Sequence, residues 1–109
     1  MLEDVEYIQT PIVKPKLKHI YQTYVVYIKK SGLREKLLQE LLKKGIETKI
    51  GTYALHLEPS FKEVKKVGSL ENSEKLYKNL LALPMYHGLS YEDQKYVCDS
   101  ISEILGELI

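Results

Sequence analysis

Apolar and polar positions follow two different periods along this chain, and the periods mark its elements. Residues 20–28, IYQTYVVYI, are β-branched or aromatic at almost every position and carry apolar groups on both faces. Such a run predicts a strand in the middle of a sheet. Ser31 and Gly32 break it. Leu33, Leu37, Leu38, Leu41 and Leu42 then recur as one stripe of a helix, with Arg34, Glu35, Gln39, Glu40 and Lys43 on its other side. Lys43 and Lys44 suit the negative end of the helix dipole. Gly45 stands where the chain needs a left-handed residue to leave the helix. Residues 46–50 alternate, with Ile46, Thr48 and Ile50 against Glu47 and Lys49, which predicts a second, half-exposed strand ended by Gly51.

Beyond Gly51 the pattern loosens. Residues 52–61 have no clean period and read as a loop carrying large side chains, among them Tyr53, His56 and Phe61. Residues 62–68 are basic and irregular. Residues 69–80 place Leu76, Tyr77 and Leu80 at helical spacing, with Ser69 or Asn72 as N-cap. Residues 81–85 are a short apolar run, which Pro84 assigns to an edge or an end of the sheet. The final helix opens at Ser90 as N-cap, carries Glu92 and Asp93 in its first turn, and buries Val97, Ile101, Ile104 and Leu105.

At the other end, residues 1–18 turn from acidic to basic, with Pro11 and Pro15 among lysines. Two prolines so close disfavour helix and ladder alike. The stretch reads as an extended lead-in or linker, with at most a short strand at 5–8, and the domain proper covers 19–109. Too few strands remain for a doubly wound sheet. The predicted class is α/β, an α+β two-layer sandwich with a small mixed sheet of about three strands and helices on one face.

Composition narrows the function classes. A chain of 109 residues, 44% apolar and 28% charged, is one ordinary globular domain. A net charge of +1 argues against a nucleic-acid binder that works by neutralising phosphates. No apolar run is long enough to span a membrane. One cysteine, Cys98, allows no internal disulfide, as expected of a cytoplasmic protein. Fifteen lysines face a single arginine, a skew that fits either heat adaptation or an A/T-rich genome.

Few motifs carry chemistry. There is no GxGxxG and no GxxxxGK[ST]. His19, His56 and His87 stand far apart, Cys98 has no CxxC partner, and no metal site is expected. No serine sits in a nucleophile elbow. Glu92 and Asp93 serve a helix dipole, Glu35 and Glu40 a solvated helix face, and Lys62–Lys66 (KEVKK) a solvated loop. Residues 49–56, KIGTYALH, are the exception. They place a glycine, a hydroxyl, a phenol and an imidazole at the end of a strand, where ligands are usually met. Packing of Tyr53 and His56 at the sheet edge is the competing reading.

Several segments in order resemble the C-terminal domain of the DegT/StrS family of aminotransferases. His19-Ile20-Tyr21-Gln22-Thr23-Tyr24-Val25-Val26 is similar to the family's histidine-led strand. Arg34 with Leu37, Leu41 and Gly45-Ile46 resembles its R…L…L…GI helix and strand. Leu55-His56-Leu57-Glu58-Pro59-Ser60-Phe61 resembles its LH-x-Q-P-x-Y loop, and Leu83-Pro84-Met85-Tyr86 with Leu89-Ser90 its LSLP-M-Y…LS signature. The likeness runs over about residues 5–107. The family's His-Tyr-Pro run before the LH pair is absent, since Ile50, Gly51 and Thr52 fill those places.

The resemblance implies the small domain of a fold-type I enzyme dependent on pyridoxal phosphate (PLP), which aminates keto sugars linked to nucleotides in polysaccharide or amino-sugar biosynthesis. It also implies that the catalytic lysine and the cofactor's phosphate and pyridine contacts lie in a large N-terminal domain outside this chain. The expected function is substrate capping, with Thr52, Tyr53 and His56 as substrate-binding residues. No catalytic or cofactor-binding residue is expected in the chain, which alone binds no cofactor and is inactive. Its expected partners are that large domain or the second subunit of a dimer, and the nucleotide sugar, with no nucleic acid and no membrane. The alternative is a free-standing, non-catalytic interaction or ligand-binding module of the same fold. A small enzyme working through His56 alone is disfavoured, because one histidine without an orienting partner is rarely enough.

Overall fold

Alternation along β2 (Tyr24–Ile28) decides where the core lies. Val26 and Ile28 are fully buried, whereas Val25 and Tyr27 on the opposite face are only half-buried. The computed structural model describes residues 1–109. Around β2 stand three more strands, β1 (Ile8–Gln9), β3 (Lys49–Ile50) and β4 (Leu80–Leu83). They form one sheet in the order β1-β2-β4-β3, with every pairing antiparallel. Register places Ile8 opposite Ile28, Leu81 opposite Val26 and Leu83 opposite Tyr24 on one face.

That face is covered by α1 (Leu33–Lys43) and α3 (Tyr91–Leu108). Leu33, Leu37 and Leu41 of α1 meet Val97, Ile101, Ile104 and Leu105 of α3 over Val26, Ile28 and Leu81. Each fully buried aliphatic contributes about 1.5–3 kcal/mol. The third helix, α2 (Glu71–Asn79), packs against α1, β2 and β3 and runs directly into β4. No helix is long and apolar enough to cross a membrane.

The two-layer α/β class is as the sequence predicts. The sheet is larger and more uniform than expected, with four strands, all antiparallel, in place of about three in mixed directions. The added strand comes from the lead-in. Residues 1–18 are not wholly a linker, because Leu2 and Ile8 are buried in the core and β1 pairs with the end of β2. Residues 12–23 run exposed, Ile20 and Tyr21 among them, so β2 starts at Tyr24 and not at 20. Of the two places the sequence left open for the run at 81–85, the structure shows an end and not an edge. β4 lies between β2 and β3, and Pro84 falls one residue past the last pair, where it removes no ladder bond.

Helix ends follow their local chemistry. Ser90 Oγ accepts from Asp93 N at 3.0 Å, the expected N-cap of α3. At the end of α1, Gly45 has φ 78°, Gly45 N donates to Leu42 O at 3.0 Å, and Ile46 N donates to Leu41 O at 2.9 Å. These two bonds form a Schellman motif, with Ile46 and Leu41 both buried in the core. α2 departs from expectation, because its N-cap position is Leu70 at φ 54° and not Ser69 or Asn72. On α1, Leu42 of the predicted stripe is exposed, and Arg34 of the predicted polar side is buried.

Candidate functional site

The candidate segment leaves β3 at Gly51. A Cβ there would lie 2.5 Å from Leu80 Cβ and 3.2 Å from Val25 Cγ1, so only glycine lets the chain cross β4 this closely. Gly51 N donates to Leu80 O at 3.1 Å and ties down the root. The chain then makes two 3₁₀ turns, Leu55–Leu57 and Pro59–Phe61. Their bonds, Leu57 N to Ala54 O and Phe61 N to Glu58 O, are local and shape the turns only.

The structure separates the three residues singled out from sequence. Thr52 is half-buried, and its Oγ1 donates to Tyr53 O at 3.2 Å. Tyr53 is 63% exposed and lies against Tyr77 of α2, with ring centroids 6.3 Å apart. His56 is turned inward. Its side chain is 8% exposed, and Nε2 bonds Glu74 Oε1 of α2 at 2.9 Å. That bond holds the Glu74 carboxyl below its ordinary value. Tyr53 is thus open to solvent, Thr52 half-buried and His56 turned inward.

Glu74 and Tyr77 were missed from sequence as partners of this segment, and Arg34 as the residue that fastens α2. Arg34 Nη1 donates to Tyr77 O at 3.2 Å and to Leu80 O at 3.1 Å, fastening the end of α2 where β4 begins. The signals for Arg34 were its place in the R…L…L…GI pattern and its rarity, as the single arginine beside fifteen lysines. Nothing local could pair His56 with a carboxylate eighteen residues away.

This stretch of chain is rich in exposed apolar side chains. Tyr53, Leu55, Leu57, Phe61, Val64 and Val67 are all exposed within fifteen residues of chain. The outer sides of α1 and α3 are finished differently, with Glu35, Lys36, Lys43, Glu92, Lys95, Asp99 and Glu103 facing water. A separate cleft of about 500 Å³ lies at the far end of β2 and β4, lined by Tyr24, Met85, Tyr86, Leu89 and Cys98 among others, and includes none of Thr52, Tyr53 and His56. Burial raises the Cys98 thiol above its ordinary value, which leaves it a packing group. Fourteen of the lysines are exposed, and Lys44 is half-buried with its Nζ 2.8 Å from Glu103 Oε2.

This fold and sequence have close counterparts. A sequence model of the DegT/DnrJ/EryC1/StrS aminotransferase family matches residues 1–102. An uncharacterized protein of Methanocaldococcus jannaschii is 30% identical over 96% of this chain and 28% of its own length. The crystal structure of a DegT/DnrJ/EryC1/StrS aminotransferase from Brucella abortus superposes with a TM-score of 0.81 at 29% identity, over 96% of this chain and 27% of that one. The aminotransferase TlmJ of Streptoalloteichus hindustanus shares the fold with a TM-score of 0.87 at 24% identity, over 99% of this chain and 29% of that one. In each case the chain spans less than a third of the relative's length. The match over nearly the whole of these 109 residues, on a fold with the same strand-and-helix plan, shows that the chain belongs to the DegT/DnrJ/EryC1/StrS aminotransferase family.

Proposed function

We propose that this chain is the small, substrate-capping domain of a cytoplasmic PLP-dependent aminotransferase that acts on keto sugars linked to nucleotides. Its body takes in β1 together with Leu2 and Ile8, and residues 12–23 run exposed between β1 and β2. The segment that carries Thr52, Tyr53 and His56 faces the substrate in this reading, with the Thr52 and Tyr53 hydroxyls offered to sugar oxygens and His56 turned inward onto Glu74. The carrying observation is the run of uncovered apolar side chains from Tyr53 to Val67 beside those hydroxyls. So many exposed apolar side chains close together along the chain suit a place where another surface packs. The large domain or the second subunit of a dimer fills that place in this reading.

The chain's own residues do not fit PLP. Transamination needs a lysine for the Schiff base and an acid partner for the pyridine nitrogen. A Schiff-base lysine is activated by desolvation or by a neighbouring cation, whereas every lysine here is exposed except Lys44, which is neutralised by Glu103. In this reading the cofactor and its lysine belong to the large domain. One observation favours the alternative of a free-standing binding module, namely the many charged side chains on the outer sides of α1 and α3, although Leu42, Tyr91 and Tyr96 are exposed among them. It concerns those two helices and leaves the exposed apolar stretch unexplained.

The test is made on the complete natural polypeptide, supplied with PLP, a nucleotide-linked keto sugar and an amino donor. Amino transfer is expected, with Tyr53→Ala raising KM for the sugar roughly fivefold to tenfold through the lost phenol contact. The PLP absorbance stays unchanged in that variant. Absence of transfer and of PLP binding in the complete polypeptide would refute the aminotransferase reading and leave the binding module.

A further inference from the structure

The loop from 51 to 61 has little of its own to hold it in place. Ala54 is its one fully buried apolar side chain, while Leu55, Leu57 and Phe61 point into solvent. Its backbone bonds beyond Gly51 are internal to the turns. A segment with so few ties to the body opens at low free-energy cost. Two side-chain links to α2 oppose this. Tyr53 lies against Tyr77, and His56 bonds Glu74. Glu74 and Tyr77 are three apart on a helix and so share one face. Tyr53 and His56 are likewise three apart in the loop, so the two segments meet at two matched points.

We propose that His56 is a positioning residue, which locks the loop onto α2 through Glu74 and thereby fixes the pose in which Thr52 and Tyr53 are presented. The inference deepens the capping reading and rests on it for the meaning of that pose. Geometry supports the assignment. The imidazole is 8% exposed and its Nε2 is committed to Glu74, so it has almost no open face for a ligand. The partner side is firm, because Arg34 fastens the last turn of α2 through the Tyr77 and Leu80 carbonyls. A displaced α2 would carry Glu74 away from the loop, and a lost imidazole would leave Tyr53 on its ring contact alone.

Amide hydrogen exchange followed by NMR on the 109-residue chain tests this without sugar or cofactor, so failure of the capping reading cannot mimic failure of the lock. The variants are His56→Ala, Glu74→Ala, the double variant and His56→Gln. Either alanine substitution is expected to speed exchange at the Leu57, Glu58 and Phe61 amides on the order of tenfold, the effect of losing one charge-assisted bond. The double variant exchanges no faster than the singles, because both remove the same link. His56→Gln, whose amide can donate to Glu74 in place of the ring, recovers part of the protection. The Val26 and Leu81 amides in the sheet stay unchanged. Unchanged loop amides in both alanine variants would overturn the proposal. So would additive effects in the double variant, or core amides that speed up as much as the loop.

Discussion

Replacing Arg34 by Met removes the charge while keeping most of the volume, and the structure gives the expected cost. Arg34 is 8% exposed, and its guanidinium donates to two carbonyls, Tyr77 O at 3.2 Å and Leu80 O at 3.1 Å. Bonds from a charged donor are worth about 1.5–3 kcal/mol each, so the gross loss is about 3–6 kcal/mol. Two features reduce it. Leu80 O keeps the Gly51 amide as a second donor, and Arg34 Nε is buried without a hydrogen-bond partner, a cost that methionine removes. The salt bridge to Glu35 at 3.5 Å counts for little because that carboxylate is mostly exposed. The net expectation is a loss of about 2–3 kcal/mol, set mainly by a Tyr77 carbonyl left bare at the end of α2. That corresponds to a fall in Tm on the order of 15 °C for a domain of this size. Arg34→Lys recovers only part, because its terminal nitrogen reaches less far and it lacks the fixed fork of donors. Urea unfolding of the three proteins is the assay. A loss below about 0.5 kcal/mol for Arg34→Met would refute the reasoning and mean that water serves the Tyr77 carbonyl as well as arginine does.

Three further outcomes follow from local geometry. Ser90→Ala removes the cap on Asp93 N and should cost about 1 kcal/mol in urea unfolding, with Ser90→Gly losing only a few tenths. Gly51→Ala forces the backbone of β3 away from β4, since Leu80 Cβ cannot rotate aside. A loss of about 1–3 kcal/mol is expected, with faster exchange at the Gly51 amide. The bond from His56 holds the Glu74 carboxyl below its ordinary 4.5. A depressed carboxylate contributes stability that is complete above its unfolded pKa and is lost as pH falls through the lower folded value. The Tm advantage of the native chain over Glu74→Gln should therefore be full at about pH 6 and shrink below about pH 4.5. An advantage that does not change across that range would count against the bond.

The sequence by itself determined the elements whose signals are local. The leucine stripe and Gly45 marked α1 and its Schellman end, because a helix face and a left-handed exit are properties of neighbouring residues. Ser90 and the Val97-Ile101-Ile104-Leu105 spacing marked α3 for the same reason. Run-length and β-branching marked β2, and the ordered motifs from His19 to Ser90 marked the family. The segment 49–56 was also legible as a place of interest, from its glycine and polar groups at the end of a strand.

Tertiary structure alone decided the rest. β4 is central because β2 and β3 pair on either side of it, and pairing partners leave no trace in a four-residue run of leucines and alanine. Leu2 and Ile8 join the core because β1 finds Ile28 across the sheet, a contact that proline content could not foresee. Arg34 looked like a solvent-facing charge on its own helix, and only the arrival of two carbonyls from forty-three and forty-six residues away makes its burial affordable. His56 looked like a ligand-facing imidazole, and Glu74 on α2 turned it inward. Periodicity reports which face of an element is buried. It cannot report against what, because that depends on segments distant in sequence closing on one another, and a buried polar side chain persists only where such a segment brings its hydrogen-bond partner.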